Sequence, residues 1–251
     1  MRDIEDTFPH TPATAEVGVD PGLRRYMIAI YNKVALGLAL AGALAYATAN
    51  VPILRDLLFR AAPEGGAGAY HLTFLGGCVA IAPILVLLLS SRPLRRATAF
   101  STGAVYWTVV SLFGAAMGVL VLSFTGLSVA TTFAISAAAF GALSLVGYTT
   151  RRELTSFGAF LTVGLAGLVG ALVLNLVLHS PALAFVTNAV GAFVFAGLIA
   201  FDTQRLRRVY EQLAGDEVAL DVASNFGALA LFINFLNLFQ FLLAMGSGEQ
   251  R

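Results

Sequence analysis

Few side chains in this sequence have the type and setting to do chemistry, and the most demanding is Asp202. It closes the run Gly191-Ala-Phe-Val-Phe-Ala-Gly-Leu-Ile-Ala-Phe-Asp202 and is followed by Thr-Gln-Arg205. A carboxylate within or at the edge of hydrocarbon costs from about 2.5 to well over 10 kcal/mol, which makes such a residue a functional-site candidate by default. A plainer reading competes with it. Arg205 stands at i+3 and can form a surface ion pair with Asp202 where the helix meets water. The residues alone leave both readings open. Asn175, Asn188, Asn234, Asn237 and Gln240 are the other strong polar groups in apolar stretches. Their simplest use is hydrogen bonding between helices. Asn188 lies close to four helical turns before Asp202, so the two point to similar sides of one helix and predict a thin polar stripe toward the bundle interior.

Recognised catalytic sets are missing. The sequence has no His-Glu-x-x-His zinc motif and no Gly-x-Ser-x-Gly elbow. His10, His71 and His179 are far apart in sequence, so no metal site and no cofactor is expected. Lys33, the single lysine, sits near one end of the first apolar segment, which argues against a retinal-type Schiff base in a later span. The single cysteine, Cys78, lies in an apolar stretch and reads as a small hydrophobe. The expected class is therefore not an enzyme. A net charge of +1 gives no reason to expect nucleic acid.

The elements that must position Asp202 are membrane spans. The chain is 58% hydrophobic and 12% charged, with a mean hydropathy of +0.84, and soluble domains carry roughly twice that charge. Apolar stretches of bilayer length recur and predict spans at 26–49, 70–90, 99–122, 127–149, 155–178, 182–203 and 225–245. Each must be a helix, because lipid offers no partner to backbone polar groups. Pro52 and Pro63, Arg92-Pro93, Thr125-Gly126, Arg151-Arg152, Ser180-Pro181 and Gly215-Asp216 mark the connections. The fold class is an all-α membrane protein, a seven-transmembrane-helix bundle.

With the N-terminus inside, Arg2, Arg24, Arg25, Lys33, Arg92, Arg95, Arg96, Arg151, Arg152, Arg205, Arg207 and Arg208 are cytosolic, and only Arg55, Arg60 and Arg251 lie outside. That asymmetry sets the orientation and favours an odd number of spans. The domains read as a disordered cytosolic tail over 1–24, a seven-helix transmembrane domain over 25–246 and a short C-terminal tail over 247–251. Gly114 and Gly118, Ala137 and Gly141, and Gly164, Gly167 and Gly170 are expected to let helix backbones approach closely. Tyr106 and Trp107 are expected in the core.

Three segments resemble the Bax inhibitor-1 family (the transmembrane Bax-inhibitor-motif proteins), in its bacterial branch. They are Gly147-Tyr-Thr-Thr-Arg-Arg-Glu-Leu-Thr-Ser156, Phe201-Asp-Thr-Gln-Arg205 and Ala228-Leu-Ala-Leu-Phe-Ile-Asn-Phe-Leu-Asn-Leu-Phe239. The resemblance implies a multi-pass protein of the bacterial inner (cytoplasmic) membrane, with the seventh helix central among the other six. It also implies a slow calcium leak gated by two paired aspartates, one on the sixth helix and one on the seventh. Two carboxylates in contact cannot both ionise cheaply, so they titrate as a coupled unit. Here Asp202 matches the first aspartate, and Asn234 stands where the second would be. An amide can donate to Asp202 but carries no charge, so the contact is expected to persist with a weakened proton switch. Arg205, Asn188 and Asn237 are the expected supporting polar contacts.

Calcium favours six to eight oxygen ligands, and Asp202 with Asn234 falls far short of a tight site. Glu211 and Asp221 would add ligands only if the following loop folds back. Loose binding still suits a weak pathway for calcium or another cation. The expected partners are the lipid bilayer and a weakly held cation. The alternative function is a non-conducting regulator that binds a membrane-protein partner, such as a membrane protease.

Overall fold

The computed structural model describes residues 20–61, 70–90 and 98–247. Its helices are α1 (Pro21–Asn50), α2 (Pro52–Leu58), α3 (Phe74–Ser90), α4 (Ala99–Ala116), α5 (Gly118–Ser123), α6 (Gly126–Thr149), α7 (Thr155–Leu178), α8 (Pro181–Leu213) and α9 (Glu217–Ser247). A small antiparallel hairpin, β1 (Phe59–Ala61) with β2 (Tyr70–Leu72), joins α2 to α3. Its second strand, β2, occupies the start of the stretch expected as the second span. The expected tails fall mostly on residues outside the described set, as do Pro63 and Arg92-Pro93. Residues 21–24, placed in the tail by sequence, are already helical.

Local chemistry sets the helix starts. Pro21, Pro52 and Pro181 open α1, α2 and α8, where a missing N–H costs nothing. Thr98 and Ser101 cap α4 reciprocally. Thr125 accepts from the Ser128 amide at α6, and Asp216 accepts from the Ala219 amide at α9. Asp20 caps α1 through the Gly22 amide and also accepts from the Tyr210 hydroxyl. The Gly22 hydrogen bond, with help from Tyr210, holds the Asp20 carboxyl below its ordinary range. Between α8 and α9 the chain turns at Gly215, whose φ of +98° few other residues tolerate.

Among the described residues six helices are long and apolar enough to cross a membrane, counting α4 and α5 as one, and α3 is a shorter apolar helix of 17 residues. The most interior is α9, with 56% of its apolar window buried, against 11% for α6 and for α7. It packs on α1, α4, α6 and α8, while α3 leans on α4 and α7 leans on α8. The expectation of a seventh helix ringed by the other six is thus corrected to four close neighbours and two outer helices. The core along α9 includes Ile30, Tyr106, Val109, Leu231, Phe232 and Phe235, all at most 1% exposed. Tyr106 lies in the core as expected, but Trp107 is 39% exposed on the outer face; neighbouring positions on a helix point about 100° apart.

The small-residue expectation divides. At Gly114 an added Cβ would stand 2.6 Å from the Ala41 Cα, so α1 and α4 touch there backbone to backbone. At Gly141, Gly167 and Gly170 an added Cβ would meet nothing within 4 Å. Those three do not mediate close packing.

Candidate functional site

The junction of α8 and α9 brings Asp202 and Asn234 together. The Asn234 Nδ2 donates to Asp202 Oδ2 at 2.8 Å. Arg205 Nη1 lies 3.3 Å from Asp202 Oδ1. Asp202 is 7% exposed and Asn234 6%, whereas the Arg205 side chain is half exposed. The ion pair and the interhelical contact, which the sequence left as competing uses of Asp202, coexist on its two oxygens. Both partners are donors and neither adds negative charge, so the like-charge repulsion of a carboxylate pair is absent.

The sequence explains the geometry. The helix α8 runs ten residues past the expected end of its span at 203, so Asp202 sits inside a continuous helix and Arg205, Arg207 and Arg208 extend beyond it. Gly147 of α6 faces the Ala200 backbone with no room for a side chain. That approach brings the α6–α7 loop under α8. Gln204 then clamps the loop, accepting from the Leu154 amide and donating to the Arg152 carbonyl, each at 2.8 Å. Arg207 donates to the Tyr148 carbonyl, and Arg208 to the Thr155 hydroxyl. The three segments singled out in the sequence therefore meet along α8, the first at Ala200, Gln204, Arg207 and Arg208 and the third at Asp202.

Other expected members stay apart. Asn188 is half-buried, about 21 Å along α8 from Asp202, and the polar stripe between them does not form. Asn237 donates to the Ile233 carbonyl of its own helix. Asn175 accepts from the Ser180 amide at a turn rather than bridging helices. Glu211 pairs with Arg207 at 3.4 Å, and Asp221 is exposed on α9. Both belong to helices, so the loop expected to fold back does not exist. Among the described residues no cluster of three or more His, Cys, Asp or Glu is arranged to hold a metal ion.

Sequence reasoning passed over two features. Gln204 is one; its signal was an amide beside the acid at the end of a span. The other is a polar brace around Lys33, whose Nζ donates to Asn225 Oδ1 at 2.7 Å and Ser224 Oγ at 3.0 Å. Asn225 in turn donates to Thr102 Oγ1 and the Ala99 carbonyl. The signal was a charged residue in an apolar helix, which must find partners. Nine residues separate Asn225 from Asn234, about 180° around α9. The brace and the Asp202 contact therefore lie on opposite faces of that helix.

Comparison with known proteins decides the lineage. The family model described as Inhibitor of apoptosis-promoting Bax1 matches residues 23–251. The chain belongs to this family. It is 51% identical over 236 residues to a protein of Caulobacter vibrioides, covering 94% of this chain and 93% of that one. It is 38% identical to the RP147 protein of Rickettsia prowazekii over 240 residues, 96% of each chain. It is 34% identical over 239 residues to inner membrane protein YbhL of Escherichia coli, covering 95% of this chain and 97% of YbhL. With its long apolar helices, this member of the Bax inhibitor family is a multi-pass protein of the bacterial inner membrane.

Proposed function

We propose that this protein is a pH-modulated cation leak pathway, with calcium the expected ion, gated where Asp202 meets Asn234. In this reading the chain crosses the bilayer seven times, with its arginine-rich end in the cytosol. The observation that carries the proposal is the buried 2.8 Å hydrogen bond from Asn234 to Asp202, which ties the most interior helix to its neighbour through a carboxylate. A charged group in hydrocarbon marks ion pathways more often than scaffolding. The Asn225 contact with the Ala99 carbonyl supports seven crossings, because it sets the start of α4 beside the start of α9. The hairpin lies past the far end of α1, and in this reading α3 returns the chain across the bundle.

Calcium flux into proteoliposomes at several pH values tests this. Wild type should leak above protein-free vesicles with a shallow pH response. Asn234→Asp should steepen that response by restoring two coupled acids, and Asp202→Asn should flatten it. An Asn234→Asp profile that superimposes on wild type overturns the gate.

A second reading, a non-conducting regulator of a membrane-protein partner, draws on one feature: the amide at Asn234 deprives the site of its charge pair. Wild-type flux equal to that of empty vesicles, with loss of co-purifying partners on deleting residues 1–20, selects it.

A further inference from the structure

Both α1 and α6 flank α9, and a cleft of about 460 Å³ lies between them. Its walls come from Arg24, Ile28 and Tyr31 on one side and Gly141, Ser144 and Tyr148 on the other. Most of the lining is apolar. The floor of such a gap between two spans would normally be filled by side chains, since protein interiors close voids larger than a water molecule. Here the filler is missing on the α6 side, because an added Cβ at Gly141 meets nothing within 4 Å.

The mouth of the cleft is cationic. Arg24 and Ile28 are shared with an adjoining bay lined also by Pro21 and Arg25. Among the described residues neither arginine forms an ion pair. The nearest acid in sequence, Asp20, is already engaged by Gly22 and Tyr210. A cationic bay in the first turn of a spanning helix, leading into an apolar slot between two such helices, matches an anionic phospholipid from head to tail.

We propose that the α1–α6 cleft is a binding site for one anionic phospholipid. Its phosphate sits in the bay at Arg24 and Arg25, and one acyl chain fills the slot beside Gly141. The site is separate from the Asp202 contact and holds whether or not the chain conducts ions.

Native mass spectrometry of the purified full-length protein, titrated with phosphatidylglycerol and with phosphatidylcholine, tests it. Wild type should retain a single phosphatidylglycerol in preference to phosphatidylcholine. Arg24→Gln should reduce that preference about fivefold, because one basic side chain near a charged lipid is worth about 1 kcal/mol. Gly141→Leu fills open space and should abolish retention of either lipid, whereas Gly170→Leu, also pointing into open space but on α7, should leave it unchanged. Melting curves and elution volumes matching wild type confirm folding. If Gly141→Leu fails that check, Ile28→Trp blocks the slot from the α1 side and is read in its place. Equal retention of the two lipids by wild type overturns the proposal, as does undiminished binding in the folded slot-filling variant.

Discussion

Asn234 and Asn237 differ by three positions and by their work. Asn234 satisfies a buried carboxylate on another helix, while Asn237 bonds to its own backbone. Replacing Asn234 with Leu strips a donor from Asp202 and leaves one oxygen of a buried acid without a partner. Thermal unfolding in detergent should show a loss of about 1–3 kcal/mol, the cost of an unsatisfied buried polar group. For Asn237→Leu the change should stay within about 0.5 kcal/mol, as for a site away from any key contact. Equal losses at the two positions would deny the contact its structural weight. The contrast was only half legible in the sequence. Both asparagines fall in one motif, and a helix-borne amide reads identically whether it reaches across to a neighbour or back to its own carbonyl. The resemblance to paired aspartates, not the residue type, pointed to Asn234.

At the scale of elements, hydropathy placed the cores of most helices within a few residues. It failed at the ends of α8 and α9, which run past the apolar windows, because charged helical turns outside the bilayer look like loop to a hydropathy reading. Close packing was also hard to read, since glycines occur both where helices touch and where nothing faces them. Gly114 and Gly170 make the difference measurable. Gly114→Ala drives a methyl into the Ala41 backbone and should destabilise by about 1–3 kcal/mol, the usual cost of overpacking. Gly170→Ala meets open space and should be neutral or stabilising by up to about 1 kcal/mol through helix propensity. The α6–α7 loop offers another test at this scale. Gln204→Leu removes both of its hydrogen bonds to the loop. Hydrogen exchange at the Leu154 amide should then quicken well beyond that of the α7 core, whereas unchanged protection would mean that Gly147 and the two arginines hold the loop unaided.

For the whole molecule, the arginine pattern and the contact pattern converge from independent directions. Charge counting assigned one set of connections to the cytosol without any knowledge of packing. The structure gathers the same set at one end: Asp20 against Tyr210, Arg152 against Gln204, and Ala99 against Asn225. The weak point in both is α3, whose 17 residues span about 25 Å, short of the roughly 30 Å hydrocarbon core. Local thinning or snorkelling of flanking residues accommodates such a mismatch, so α3 can still cross. Single cysteines decide it in a Cys78→Ser background, which removes the one native thiol. Asp56 and Glu153 are both exposed and lie in connections at opposite ends of the bundle. With seven crossings and an internal N-terminus, Asp56→Cys should react with an impermeant maleimide in intact cells, and Glu153→Cys only after lysis. If α3 does not cross, every later connection changes sides and both cysteines react from outside. A reversed pattern, with Glu153→Cys reactive and Asp56→Cys shielded, would invert the orientation and place Asp202 near the outer face of the membrane.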